Sequence, residues 1–213
     1  MPVASWRTEP ERVTGSWWAF RQVAPDWPPF YHAAGEPLPS QRSGRWHRQG
    51  QGYAQYLALE PLGAWAELVR YENVRTAERA AEYRRLLWLA YVTETDIADL
   101  STFDRWAACE LDPAAAVGDH AVCQDLADDL REAGFRGVLA PSAALSGATN
   151  LTLFGARYEK VLLHGLAAWA NPRPELRVAC TLAAQGGPPL PLLTATVHAD
   201  VEHEGLVRWR TEE

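Results

Sequence analysis

Three residues at equal intervals stand out in the first third of the chain: Arg45, Tyr56 and Glu67, each eleven positions after the one before. They lie within GRWHRQGQGYAQYLALEPLGAWAE, residues 44–67. A guanidinium offers paired donors to phosphate oxygens. An aromatic face takes a flat ring, and a carboxylate stabilises positive charge developing at a glycosidic carbon. Brought into one hollow, the three suit the binding of a dinucleotide and cleavage of its glycosidic bond. Spacing alone leaves plainer readings open, with Arg45 paired to a surface acid, Tyr56 in the core and Glu67 on a solvated helix face.

The elements that would have to position them can be read in order. Residues 1–16 form a polar tail, and WWAFRQV then reads as a first strand with Arg21 near its end. On its pleat Trp18, Phe20 and Gln22 face one way, and Trp17, Ala19, Arg21 and Val23 the other. The proline- and glycine-rich run from Ala24 to Gly44 must be loop, and its length suits a rim over a ligand site. Tyr53 to Leu59 reads as a strand. Pro61 suits the first turn of a helix running towards Arg70, with an apolar stripe of Leu62, Trp65, Ala66 and Val69. Glu67 points off that stripe, and Gly63 and Ala64, one turn earlier, leave space beside it.

Further on, residues 74–84 make a charged helix or connector, 86–92 a buried strand, and the stretch around Phe103 and Trp106 a short amphipathic segment. Asp119 can cap a helix through Leu130 with Val122, Leu126 and Leu130 on one face, ended by Gly134. His120 and Cys123 lie three apart on it, and with no second pair beside them they predict packing or surface rather than metal. Val138–Ala140 and Leu151–Phe154 read as short strands, and Ser142 follows the end of the first. Beyond residue 160, Val161–Trp169 is apolar enough to pack on the core, 185–191 is a break, and Thr194–Val201 alternates like a strand. His198 and His203 would then lie on a solvated edge.

The composition bounds the rest. A chain of 213 residues suits one domain with an extension, and ten tryptophans predict broad aromatic packing or an aromatic-lined pocket. A net charge of −7 argues against direct nucleic-acid binding, although arginines crowd the first quarter, where an anionic ligand would fit. Cys109, Cys123 and Cys180 are too few and too scattered for a disulfide framework or zinc site, which favours a reducing compartment. Neither a signal-like N-terminus nor an apolar run of membrane-spanning length is visible, so the chain reads as soluble and cytoplasmic.

Taken together, WAFRQV, GRWH, YLAL followed by AWAELV, GVLAPSA and NLTLF resemble the RES-domain family, named for an arginine, a glutamate and a serine. The resemblance covers residues 17–160, leaving 1–16 as a tail and 161–213 as an extension packed on the same domain. It places the family's arginine on Arg45, its tyrosine on Tyr56, its glutamate on Glu67 and its serine on Ser142, with an earlier arginine on Arg21. His47 stands where the family commonly has asparagine, and Asn150 opens the last matching motif. The fold implied is α/β (α+β), an ADP-ribosyltransferase-like core of two small mixed sheets with flanking helices around an NAD cleft. The function implied is that of a toxin of a toxin–antitoxin pair that consumes NAD as substrate, without metal, by hydrolysis or phosphorolysis. The rival reactions are ADP-ribosylation of a protein and, without catalysis, a degenerate binding module. A helix-turn-helix antitoxin is the implied partner, and a homodimer is left open. In this reading Arg21 and Arg45 hold the pyrophosphate, Tyr56 stacks on nicotinamide, and Glu67 bonds the ribose and stabilises the developing charge. Ser142 orients the nicotinamide side, with His47 and Asn150 as further contacts.

Overall fold

Two long strands dominate the computed structural model, which describes residues 5–30, 41–118, 120–161 and 177–212. Strand β1 (Glu11–Val23) and strand β3 (Arg85–Asp99) pair antiparallel from Glu11 opposite Asp99 to Val23 opposite Leu86, with a register shift at Val13/Gly15. Both are rich in aromatic and branched residues, which pack well on a pleated surface. The shorter strands are β2 (Ala54–Ala58), β4 (Gly137–Pro141) and β5 (Thr149–Phe154). Their order is β1-β2-β5-β4-β3, and β1 pairs back onto β3, so these five close on themselves. The N-terminal half of β3 also pairs with β7 (Arg177–Gly186), which carries β6 (Tyr158–Val161) at the edge. Its C-terminal half pairs parallel with β4. The α+β class therefore holds, but where two small sheets were expected the hydrogen bonding runs through one sheet of seven strands. The reason is the length of β3, which serves two different neighbours along one edge.

Every strand of the closed set contributes to the central core: Ala19, Leu57, Ala90, Val92, Ile97, Leu139, Leu151 and Leu153 pack together. Their period-2 neighbours face outward and are covered by helices. Helix α1 (Pro61–Tyr71) lies over Ala58 and Phe20. Helices α3 (Phe103–Ala108) and α4 (His120–Glu132) cover Ala98, Val138 and Ala140 around a fully buried Trp106. Short α2 (Ala77–Glu82), capped by the Thr76 hydroxyl, supplies the connector to β3.

The expected helices form, with a shifted face in two of them. In α1 the buried set includes Ala64 and Leu68, whereas Leu62 is 48% exposed. In α4 the buried residues are Cys123, Leu126, Ala127 and Leu130, and Val122 points outward. Residues 11–14, expected in the loose tail, already belong to β1. Asp119 and most of the apolar run 161–169 lie outside the described residues. A larger correction concerns Thr194–Val201, which is no strand. Pro189 and Pro191 lead into a short helix α5 (Leu192–Ala195), turns follow, and α6 (Glu204–Glu212) ends the described chain. His198 and His203 are accordingly buried instead of solvated.

Candidate active site

A cavity of about 1070 Å³ opens on the outer face of β2, β5 and β4, at the upper end of the usual ~300–1,000 Å³ for ligand sites. Tyr56, Asn150 and Thr152 form its floor, with Tyr56 directly opposite Thr152 in the sheet. Glu67, Leu68 and Arg70 of α1 make one wall. The loop 43–46 and the turn around Ala114–Gly118 make a second, and residues of the C-terminal segment, among them Val197, His203, Leu206 and Arg210, make a third.

The acid at the centre is held by design of its neighbours. Helix α1 starts at Pro61 after an extended Glu60, and Gly63 lets it settle close to the sheet, since a Cβ there would lie 3.1 Å from that of Ala58. Six residues on, Glu67 meets the loop that follows β4. The Ser142 hydroxyl donates to Glu67 Oε1 at 2.9 Å, and Asn150 Nδ2 donates to the same oxygen at 2.7 Å. Ser142 Oγ in turn accepts the amides of Ala144 and Leu145 at 3.2 Å each. That hydroxyl has no spare capacity: one proton given, two received. Glu67 Oε2 makes no hydrogen bond to a described residue.

Tyr56 is fixed as firmly. Its oxygen accepts the Trp46 amide at 2.9 Å and lies 2.9 Å from His47 Nδ1. Burial, helped by the charge of Arg131, lowers the His47 pKa and keeps the ring neutral. The phenol proton can therefore go to Nδ1. Burial also raises the Tyr56 pKa well above its ordinary value, so the phenol stays protonated. Gly44 is required by this contact: a Cβ there would lie 2.5 Å from the tyrosine oxygen. The loop carrying Gly44 and Trp46 is tied to α4, where Gln124 donates to Gly44 O at 2.8 Å and Arg131 to Trp46 O at 2.7 Å.

Arg45 and Arg70 both line the cavity, and both bond backbone carbonyls. Arg45 donates to Gly118 O at 3.0 Å and Ala115 O at 3.4 Å, and Arg70 to Val197 O at 2.5 Å. Neither forms an ion pair with a carboxylate among the described residues, whereas Arg48, for example, is taken up by Asp125 and Asp128. Burial, followed by the charge of Arg45, lowers the Arg70 pKa. Two cations thus face a hollow whose one central acid is already bonded by neutral donors. An anionic ligand fits that imbalance.

Four residues singled out in the sequence, Arg45, Tyr56, Glu67 and Ser142, converge here, and Asn150 joins them on Glu67. Arg21 does not come to the cavity wall. It donates at 3.0 Å to Gln55, the strand neighbour of Tyr56 whose side chain is fully buried on the inner face of the sheet. His47 stands behind Tyr56 and acts on it rather than lining the space. Cys123 gives its thiol proton to Ala115 O at 3.1 Å, and no group of three metal-ligating side chains occurs among the described residues. Arg70 escaped the sequence reading although it lies three residues after Glu67, on the same side of α1. The wall from Val197 to Arg210 left no signal at all.

A closed-sheet α+β domain with a carboxylate held between a serine and an asparagine, in a cavity that two arginines also line, defines the class. The chain belongs to the RES domain family, which it matches over residues 9–173. It is similar to Probable NAD(+) phosphorylase Rv3189 of Mycobacterium tuberculosis, 35% identical over 118 residues, or 54% of this chain and 55% of that one. The match spans about half the length of that relative. Its fold resembles the crystal structure of the M. tuberculosis MbcT–MbcA toxin–antitoxin complex, with a TM-score of 0.52 and 23% identity over 68% of this chain and 76% of that chain.

Proposed function

We propose that the cavity binds NAD and cleaves its nicotinamide–ribose bond, with phosphate or water as acceptor. The observation that carries this reading is Glu67: one carboxylate oxygen is pinned by Ser142 and Asn150, the other has no hydrogen bond to a described residue, and the same cavity is lined by Arg45 and Arg70, which bond backbone carbonyls and no carboxylate among the described residues. Bond cleavage passes through an oxocarbenium-like centre. The leaving nicotinamide is already a cationic pyridinium, so departure as the neutral base needs no proton donor. What the site supplies is orientation and charge stabilisation.

In this reading Arg45 and Arg70 hold the pyrophosphate, in place of the pairing of Arg45 with Arg21. Tyr56 forms the platform for a ring, with His47 setting its hydroxyl. Glu67 stabilises the developing charge at the ribose carbon, and Ser142 and Asn150 orient it. Attack by water gives ADP-ribose, nicotinamide and a proton, and attack by phosphate gives ADP-ribose-1″-phosphate and nicotinamide. The name of the mycobacterial relative favours phosphate. Transfer to a protein side chain is the second reading, and a non-catalytic binding module the third.

The biological role that goes with this chemistry is that of a toxin acting on soluble NAD and held in check by an antitoxin with a helix-turn-helix domain. No helix among the described residues is long and apolar enough to cross a membrane. The closed sheet would stand for the ADP-ribosyltransferase-like core, its two sides taking the part of two small sheets, with the described part of the C-terminal extension, residues 177–212, packed on the same domain. Purified protein incubated with NAD, with and without phosphate, is expected to release nicotinamide. Glu67→Gln should lower kcat by about 10²–10³ while leaving thermal unfolding near that of the wild type. Equal turnover by wild type and Glu67→Gln would reject the site.

A further inference from the structure

The strongest unassigned feature lies beyond the residues that match the family. His203 is only 6% exposed and precedes α6, where it occupies the helix N-cap. Serine, threonine, aspartate and asparagine are the usual residues there, because their side-chain oxygen accepts an orphan amide of the first turn. His203 places a ring nitrogen there: Nδ1 lies 3.3 Å from the amide of Leu206, the third helical residue, which it shares with the His203 carbonyl at 2.9 Å. An acceptor at Nδ1 fixes the tautomer and puts the proton on Nε2. That nitrogen lies 3.0 Å from Ser142 O. None of the usual capping side chains could reach a second partner in this way.

Ser142 is the residue whose hydroxyl holds Glu67. A chain of contacts therefore runs from the start of α6, through the imidazole, to the serine carbonyl, and from the serine hydroxyl to the carboxylate. The ring is held from its other side by Phe103 of α3 at 5.9 Å, edge to face. Gly205 keeps the turn tight, since a Cβ there would lie 2.9 Å from Ser146 Oγ and 3.0 Å from His203 Cε1. We propose that His203 is a positioning residue of the active site: by capping α6 and holding the Ser142 carbonyl, it sets the serine that orients Glu67. The catalytic part of this inference rests on the NAD-cleaving reading above.

The test compares His203→Ala, His203→Gln and Trp209→Ala in the full chain. A glutamine amide can donate to Ser142 O and accept the Leu206 amide. Trp209 bonds Asp104 and packs α6 without lining the cavity, so its loss weakens the helix and spares the serine. His203→Ala is expected to lower kcat by about ten- to a hundredfold with a much smaller change in KM for NAD. His203→Gln should recover most of that loss, and Trp209→Ala should retain kcat while lowering Tm. Hydrogen exchange at the Ala144 and Leu145 amides, which rest on Ser142 Oγ, reads the same contact without any turnover. It should quicken in His203→Ala and stay slow in Trp209→Ala. Unchanged exchange in His203→Ala, or a glutamine variant as poor as alanine, overturns the proposal. Quickened exchange in His203→Ala, together with a wild type that never consumes NAD, would uphold the contact and sink the NAD reading instead.

Discussion

The tyrosine oxygen at position 56 accepts one backbone amide, faces one imidazole and excludes one methyl group, and that crowding has a measurable consequence. Gly44→Ala would drive a carbon to 2.5 Å from that oxygen. The expected cost is about 1–3 kcal/mol, typical of forcing extra volume into packed space. It should appear as a fall of several degrees in Tm and as lost nicotinamide release below the transition. A variant as stable and active as the wild type would show that Tyr56 is not held as described. Much at this scale was legible in advance: Arg45, Tyr56, Glu67 and Ser142 have side chains whose chemistry announces itself. Arg21 shows where legibility stops. The pleat separated Arg21 from Gln22 correctly, but alternation does not say which face looks at a ligand. Gln22 lines the cavity and Arg21 turns inward, one residue apart.

Among the elements, α1 carries the most function per turn. Pro61 starts it, Gly63 lets it approach the sheet, and Glu67 and Arg70 emerge one turn apart beside the same cavity. Arg70→Ala removes a charged donor, which is typically worth ~1.5–3 kcal/mol. The expected result is a KM for NAD raised by roughly ten- to a hundredfold in steady-state kinetics, with kcat less affected. An unchanged KM would remove Arg70 from the anion site. This helix could be read from its proline and its apolar spacing. Residues 194–201 could not, because Ala195, Val197, Ala199 and Val201 alternate without any strand to pair with. Alternation records a pattern of side chains, whereas a strand also needs a partner with free backbone groups. The long β3 was half visible for a related reason: beyond Val92 the charged stretch TETD carries no apolar pattern, and the strand is completed by pairing, with β1 beside Thr93 and Glu94 and β4 joining from Ile97.

At the scale of the whole molecule, three buried imidazoles make stability depend on acidity. Burial is the leading cause that lowers the pKa of His47, His198 and His203 below the usual 6.5. Around His203 the charges of Arg70 and Arg45 act in the same direction, against the Ser142 carbonyl and Glu204. Above pH 6.5 these rings are neutral in both folded and unfolded chains, and their contribution is complete. Between 6.5 and the lowered folded values the unfolded chain binds protons that the folded one does not, so stability falls as pH falls. Tm is expected to decline between pH 7 and pH 5, and a flat or rising profile would contradict these burials.

The third wall of the cavity also bears on when, on the NAD-cleaving reading, activity could begin during synthesis. Synthesis proceeds from the N-terminus, so the carboxylate and both guanidinium groups leave the ribosome well before that wall does. A stalled nascent chain ending before Val197 is therefore expected to spare the dinucleotide pool in a translation extract, whereas release of the longer product should drain it.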